Sequence, residues 1–205
     1  MAGGRPRGFD ITTALNQAID VFMAKGYDGA TLSDLTGAMG INPPSFYAAF
    51  GSKEGLFRQA ITCYEEERGA LLKGALLAPT AAETVERFLR DSVEDQIRPD
   101  RVHGCLFIQG ALVCGTQGEG LREPLAQARL AGYEPLAERF RAAQGTGEIA
   151  ANIDPDALAR YVCAVVHGLA VQAASGASRE QMTCVVKMTL RAWAAMTGNV
   201  TVPST

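Results

Sequence analysis

Apolar residues recur at three- and four-residue steps in one segment of this chain after another, and no stretch reads convincingly as a strand. The pattern predicts an all-α protein of about nine helices. The first runs through ALNQAIDVFMAKGYDGATL. Thr31, with Asp34 three residues on, makes a capping-box-like start for a second, on which Leu32, Leu35 and Met39 share an inward face and which Gly40 ends. Asn42 can cap a third helix by accepting a backbone N–H bond, and Pro43 falls at its first position, where a missing N–H costs nothing. There Phe46 and Phe50 lie one turn apart and point inward, leaving Pro44, Ser45 and Ala48 on the opposite face with Tyr47 at its flank.

From Ser52 a long helix continues through Leu56, Phe57, Ala60, Ile61 and Tyr64 to about Leu77, with the break at Pro79. Thr80 and Glu83 form a capping box for a helix carrying Val85, Phe88, Leu89 and Val93, ending near Pro99. Residues 104 to 115 are apolar on nearly every side and are expected inside the protein. A single helix from about Glu119 to Ala143 presents Leu121, Leu125, Ala128, Gly132, Leu136 and Phe140. Asp154 with Pro155 starts the eighth helix, and a capping box from Ser178 to Gln181 starts the ninth.

Two short helices joined through a tight glycine turn, at 31 to 50, have the layout of a DNA reader, because the major groove admits a helix whose outer face carries small side chains. The same pattern also occurs in ordinary helical bundles. The wider stretch from 9 to 64 combines the approach helix, the turn GIN, the helix PPSFYAAFGSK and the run SKEGLFRQAI. In that combination it resembles the N-terminal domain of the tetracycline-repressor (TetR/AcrR) family of transcriptional regulators. The resemblance implies a three-helix DNA-binding domain, a larger all-α domain that binds a small molecule, a homodimer and no catalysis. Position by position, it implies that Thr31, Ser33, Tyr47 and Lys53 face phosphates while Pro44, Ser45 and Ala48 face bases. None of those three has the fork of Arg, Asn or Gln, so thymine-methyl contacts and DNA shape are expected to carry much of the discrimination. The expected division is 1–55 for the arm and reading head and 56–205 for effector binding and dimerisation.

The last two helices are apolar around more than one face. One face packs on the chain's own core, and the surplus suits a two-fold four-helix contact through Leu158, Val162, Val165, Gly168, Leu169, Val186, Leu190 and Trp193. A homodimer of this kind expects a palindromic double-stranded operator, with recognition helices about 34 to 36 Å apart. The resemblance puts an effector pocket inside the larger domain. The helices that would enclose it supply Phe88, Cys105, Phe107, Ile108, Tyr133, Phe140 and His167, which are also ordinary core residues and would suit a small, largely apolar effector.

Charge adds little to the DNA argument: residues 1 to 60 hold five basic and five acidic side chains, and the remainder 14 and 17. Placement has to do what net charge does not, with Arg5 and Arg7 in the arm GGRPRGF following the duplex and Lys53 at its phosphate edge. Five cysteines at irregular spacing form no CxxC pair, and Cys163 with His167 offers only two ligands where structural zinc takes four, so no metal or other cofactor is expected. Cys105 and Cys114 lie in apolar surroundings that disfavour thiolate chemistry. The apolar runs are interrupted short of a membrane span and the N-terminus lacks a secretion signal's apolar core, so a cytoplasmic protein with no membrane partner is expected. The competing reading is an all-α enzyme or small-molecule carrier that keeps the helix-turn-helix as scaffold. The sequence has no GxSxG, HExxH or phosphate-binding glycine loop to support it. The expected function is therefore a ligand-responsive regulator, a repressor more than an activator, released from its operator by a small molecule.

Overall fold

A computed structural model describes residues 9 to 112 and 120 to 198, with side chains withheld at 110 to 112. Ten helices and no strand occur among the described residues: α1 Ile11–Gly29, α2 Leu32–Ala38, α3 Pro43–Phe50, α4 Lys53–Leu76, α5 Ala81–Gln96, α6 Leu106–Leu112, α7 Arg122–Leu130, α8 Tyr133–Gly145, α9 Pro155–Ala174 and α10 Arg179–Met196. The all-α class holds. The tenth helix appears because the single helix expected from 119 to 143 is broken at Ala131 and Gly132 into α7 and α8. The carboxyl half of the expected 104–115 helix, with Cys114, lies outside the described residues.

Local chemistry sets the boundaries. At α2 the full capping box forms: the Asp34 amide donates to Thr31 Oγ1 at 3.1 Å, and the Thr31 amide donates back to Asp34 Oδ2 at 3.0 Å. Gly40, at φ +61°, then turns the chain left-handed, a conformation in which a Cβ would be strained, and Asn42 Oδ1 accepts from the Ser45 amide at 2.9 Å to start α3. The box expected at α5 is only half made. Thr80 Oγ1 accepts from the Glu83 amide, but no return bond from Glu83 to the Thr80 amide forms among the described residues; the next amide, Ala81, donates at 2.6 Å to Glu148, 67 residues away. A tertiary carboxylate thus adds to the local Thr80 cap.

Burial divides into two apolar clusters. The first joins α1 to α4 around Phe22, Phe46, Phe50 and Phe57, and also takes in Cys105, Leu106, Phe107, Leu121 and Leu125 from α6, α7 and the residues before them. The second gathers α5, α8, α9 and α10 around Leu89, Leu136, Phe140, Val162 and Trp193. α4 serves both, with Leu56 to Tyr64 in the first and Leu72 and Ala75 in the second. The α5–α6 connection is tied down by charge. Arg101 reaches Asn16 Oδ1 on α1 at 2.6 Å and Glu67 on α4 at 2.7 Å, Arg98 meets the other Glu67 oxygen, and the Val102 amide donates to Asp20.

α9 corrects one expectation. Among the described residues it is the one helix long and apolar enough to cross a membrane, since Arg160 and His167 interrupt it too sparsely. Its burial of Leu158, Val162, Val166 and Leu169 against α5 and α8 accounts for one apolar side as core.

Where α4 leaves the reading head, Gly55 lies so near the end of α3 that a Cβ there would come within 2.2 Å of the Phe50 carbonyl oxygen. That atom is backbone and cannot swing aside. Gly55→Ala is expected to destabilise the chain by about 1–3 kcal/mol, the usual cost of overpacking, read from the midpoint of denaturant unfolding; an unchanged midpoint would show that the α3–α4 corner yields freely.

Candidate DNA-reading and effector sites

α3 is held from below and open above. Phe46 and Phe50 are buried, their rings 5.6 Å apart, and Phe50 also meets Phe9 at 6.3 Å. On the outer face Pro44, Tyr47 and Ala48 are exposed and Ser45 is half-buried, with Tyr47 keeping 54% of its surface. Thr31 and Ser33, at the start of α2, are exposed beside this face of the turn. Thr31 is occupied locally, since its hydroxyl donates to Asp34 Oδ2 at 2.8 Å, which leaves one lone pair and the methyl group outward.

Lys53 is not the free phosphate hook the sequence suggested. Its ammonium donates to the Ala30 carbonyl at 3.1 Å and lies 4.5 Å from the centre of the Tyr27 ring, so it braces the corner between α1 and α2 and keeps only its remaining donors for another partner. Lys25 is likewise engaged, with Asp34 at 2.6 Å. That contact and the Thr31 donors hold the Asp34 carboxyl down at about 2, from an ordinary 3.8. Arg5 and Arg7 lie outside the described residues.

The body holds a cavity of about 310 Å³ where α4, α5, α6, α7 and α9 converge. Of the residues expected to line it, Phe88, Cys105, Phe107 and His167 do so. Three expectations are corrected. Phe140 is fully buried in the second cluster against Trp193, Ile108 packs on the first cluster, and Tyr133 turns away, its hydroxyl donating to Asp156 at 2.7 Å under the Arg160 guanidinium. The expected set omitted ten lining residues: six apolar or glycine, Gly69, Leu72, Ala128, Ala131, Gly132 and Val166, and four polar, Glu65, Arg68, Arg129 and Cys163, the three charged ones on helices whose charges read as solvent-facing. Cys163 and His167 share the wall as their spacing predicted, yet burial pushes the Cys163 thiol up to about 11, and the described residues contain no metal-holding group of three.

The expected dimer set also needs correction. Leu158, Val162, Leu169, Val186 and Trp193 are buried within the chain itself and have almost no surface left to offer. Val165 and Leu190 are half-buried and Gly168 is exposed, so of that set only these three keep surface. The open stripe runs beside them, through Ala164, Gly168 and Val171 on α9 and Cys184, Met188 and Ala195 on α10.

A helix-turn-helix with an outward reading face, set on an all-α body that encloses a small cavity, defines a DNA-binding regulator of the one-component type. Comparison with known proteins narrows the class. Residues 14–60 match the model for bacterial regulatory proteins of the tetR family, and residues 81–189 match the tetracyclin repressor-like C-terminal domain. A cysteine-substituted form of the TetR family transcriptional regulator CifR, solved with a 26-bp double-strand operator DNA, superposes with a TM-score of 0.86 at 43% identity, over 92% of this chain and all of that one. The HTH-type transcriptional repressor ComR of Escherichia coli (strain K12) is 29% identical over 194 residues, covering 93% of this chain and 91% of ComR. The repressor BdcR of the same strain is 33% identical over 108 residues, about half of each chain (52% and 55%). The chain belongs to the TetR family of transcriptional regulators. It is a DNA-binding regulator and not an enzyme, which removes the competing reading.

The Asp34 carboxylate supplies the sign of a pH effect. Its pKa is lower folded than unfolded, so its contribution is complete above about 3.8 and is lost as pH falls through about 2. Asp34→Asn is expected to remove that acid dependence and to raise hydrogen exchange at the Thr31 amide. Equal protection of that amide in both proteins at neutral pH would show that the carboxylate does not hold the cap.

Proposed function

We propose that this protein is a homodimeric repressor that holds a palindromic operator through α3 and releases it when a small molecule fills the cavity. The observation that carries the reading is the two-sidedness of α3: aromatic anchors below, and Pro44, Ser45, Tyr47 and Ala48 presented above. In this reading Pro44, Ser45 and Ala48 meet base edges, Thr31, Ser33 and Tyr47 meet phosphates, and Lys53 both braces the corner and approaches the backbone. Arg5 and Arg7 extend the contact along the duplex. The operator complex of CifR supports double-stranded DNA as the partner, and TetR-family regulators act as dimers. A repressor of this kind works in the cytoplasm, where its DNA is.

The dimer is assigned to the open α9–α10 stripe, not to the buried residues behind it. Ala164 and Gly168 let a partner helix approach closely, while Val171 and Met188, at 47% and 59% exposure, supply apolar area to cover. We divide the chain functionally at about residue 55, with 1–55 reading DNA and 56–205 sensing and pairing; α4 joins the two parts. A ligand that favours one inclination of α4 alters the separation of the paired α3 helices, and operator affinity falls by the ratio of its affinities for the two states.

Gel shifts with DNA from beside the protein's own gene test the reading. Saturable binding that weakens with salt is expected; no shift with any flanking fragment would overturn it. Tyr47→Phe should weaken the complex about tenfold or more, the worth of one hydroxyl–phosphate bond, with stability unchanged. Gly168→Glu combined with Met188→Glu should yield a folded monomer by light scattering, and a persistent dimer would move the interface elsewhere.

A further inference from the structure

The cavity walls are mostly apolar, with Leu72, Phe88, Phe107 and Val166 among them, yet three nitrogen-bearing side chains, Arg68, Arg129 and His167, also line it. Their charges are not equally matched. Arg68 is paired with Asp95 at 2.6 Å, both side chains about one-tenth exposed, and one pairing leaves further donors on the guanidinium. Arg129 is half-buried, and its one contact among the described residues is the Phe107 carbonyl, which Nη1 reaches at 3.0 Å; no carboxylate among the described residues pairs with it. Both guanidinium charges are felt at His167, whose pKa is pushed below its ordinary value by burial first and then by Arg68 and Arg129. His167 thus adds a further polar group to the same wall. Glu65, the acidic residue on the wall, forms no ion pair among the described residues, and burial raises its carboxyl. A partly desolvated cation with no carboxylate partner among the described residues is costly, and an anion entering from solution relieves that cost.

We infer that the effector is a small amphipathic monocarboxylate, its head held by Arg129 with Arg68 and His167 beside it, and its short apolar body against Leu72, Phe88 and Val166. The volume fits this class, since about 310 Å³ lies at the small end of the range of about 300–1,000 Å³ for ligand pockets. A planar guanidinium matches a carboxylate through two parallel hydrogen bonds, which a methyl ester cannot accept with equal strength and an amine, protonated to an ammonium at neutral pH, cannot accept at all. The head would lie beside the Arg129–Phe107 contact, so binding would also bear on the start of α6. The inference rests on reading this cavity as the effector site.

The test uses the full-length protein with hexanoate, octanoate and phenylbutyrate, each beside its methyl ester and the amine of matching length, followed by calorimetry and thermal unfolding. At least one acid should bind about tenfold or more tightly than its ester, with the amine weaker still. Arg129→Met should erase the acid–ester difference, whereas Arg129→Lys, which keeps the charge and is the gentler change at the Phe107 carbonyl, should retain part of it. Esters or amines binding as well as the acids, no response to any acid, or acid selectivity surviving in Arg129→Met would each overturn the inference. An operator gel shift on the same preparation separates the two levels of argument. If DNA binds but the acids show no preference, only the ligand class is wrong; if DNA does not bind, the regulator reading fails as well.

Discussion

The structure depends on the burial of two rings from one very short helix. α3 has eight residues, fewer than an isolated helix needs to persist in water, so its geometry comes from Phe46 and Phe50 being fixed in the first cluster. Beneath them Phe22 and Phe57 meet edge to face at 4.7 Å, and Tyr27 lies 5.1 Å from Phe57, so rings from α1 and α4 and from the turn after the Gly26 kink form the floor on which α3 rests. The outer face can then consist of small residues and one exposed tyrosine, because nothing on that face has to stabilise the helix. Fold and reading surface are separated by side of helix, and that separation is what lets a regulator vary one without losing the other.

α4 carries the same logic into the body. Its first half belongs to the reading head's cluster and its last turns to the second cluster, and between them Glu67 pairs with the α5–α6 connection and Arg68 with Asp95 on α5. Arg101, bound both to Glu67 and to Asn16, places the end of that connection against α1, and Cys105 and Phe107 on the cavity wall follow within a few residues. The cavity thus lies where the two clusters meet: Cys105, Phe107 and Ala128 come from one, Leu72, Phe88 and Val166 from the other. A molecule filling it touches both packed units at once, which a ligand buried wholly inside either could not do.

What the sequence made legible was governed by local chemistry. Thr31 with Asp34, Asn42 with Pro43, Asp154 with Pro155 and Ser178 with Gln181 each specify a helix start within four residues, and all four caps form. The inward pair Phe46 and Phe50 followed from a one-turn spacing in the same way. Failures came where a distant group intervened. The return bond from Glu83 that a Thr80 capping box implies is not among the bonds of the described residues, while Glu148, 67 residues away, takes the next amide, Ala81; and Lys53 was read as a surface charge because the Ala30 carbonyl and Tyr27 ring that hold it are 23 and 26 residues away. The buried members of the expected dimer set fail for a related reason: periodicity shows that a helix has two apolar sides but not which side the rest of the chain has already covered.

The cavity shows the limit most clearly. Its aromatic members were found because apolar residues on amphipathic helices point inward by default, whereas Arg68 and Arg129 follow a rule that sends charge to water. Arg68 escapes that rule through Asp95, a carboxylate 27 residues on and as buried as its partner, and this pairing is invisible until α4 and α5 are docked. Arg129 has no such pairing among the described residues, and it lines the cavity between the two apolar clusters. A fold that matches the largely buried Arg68 so closely, at 2.6 Å, gains nothing in stability from leaving the half-buried Arg129 without an acid among the described residues. Its position is better understood through the molecule that enters than through the chain that folds.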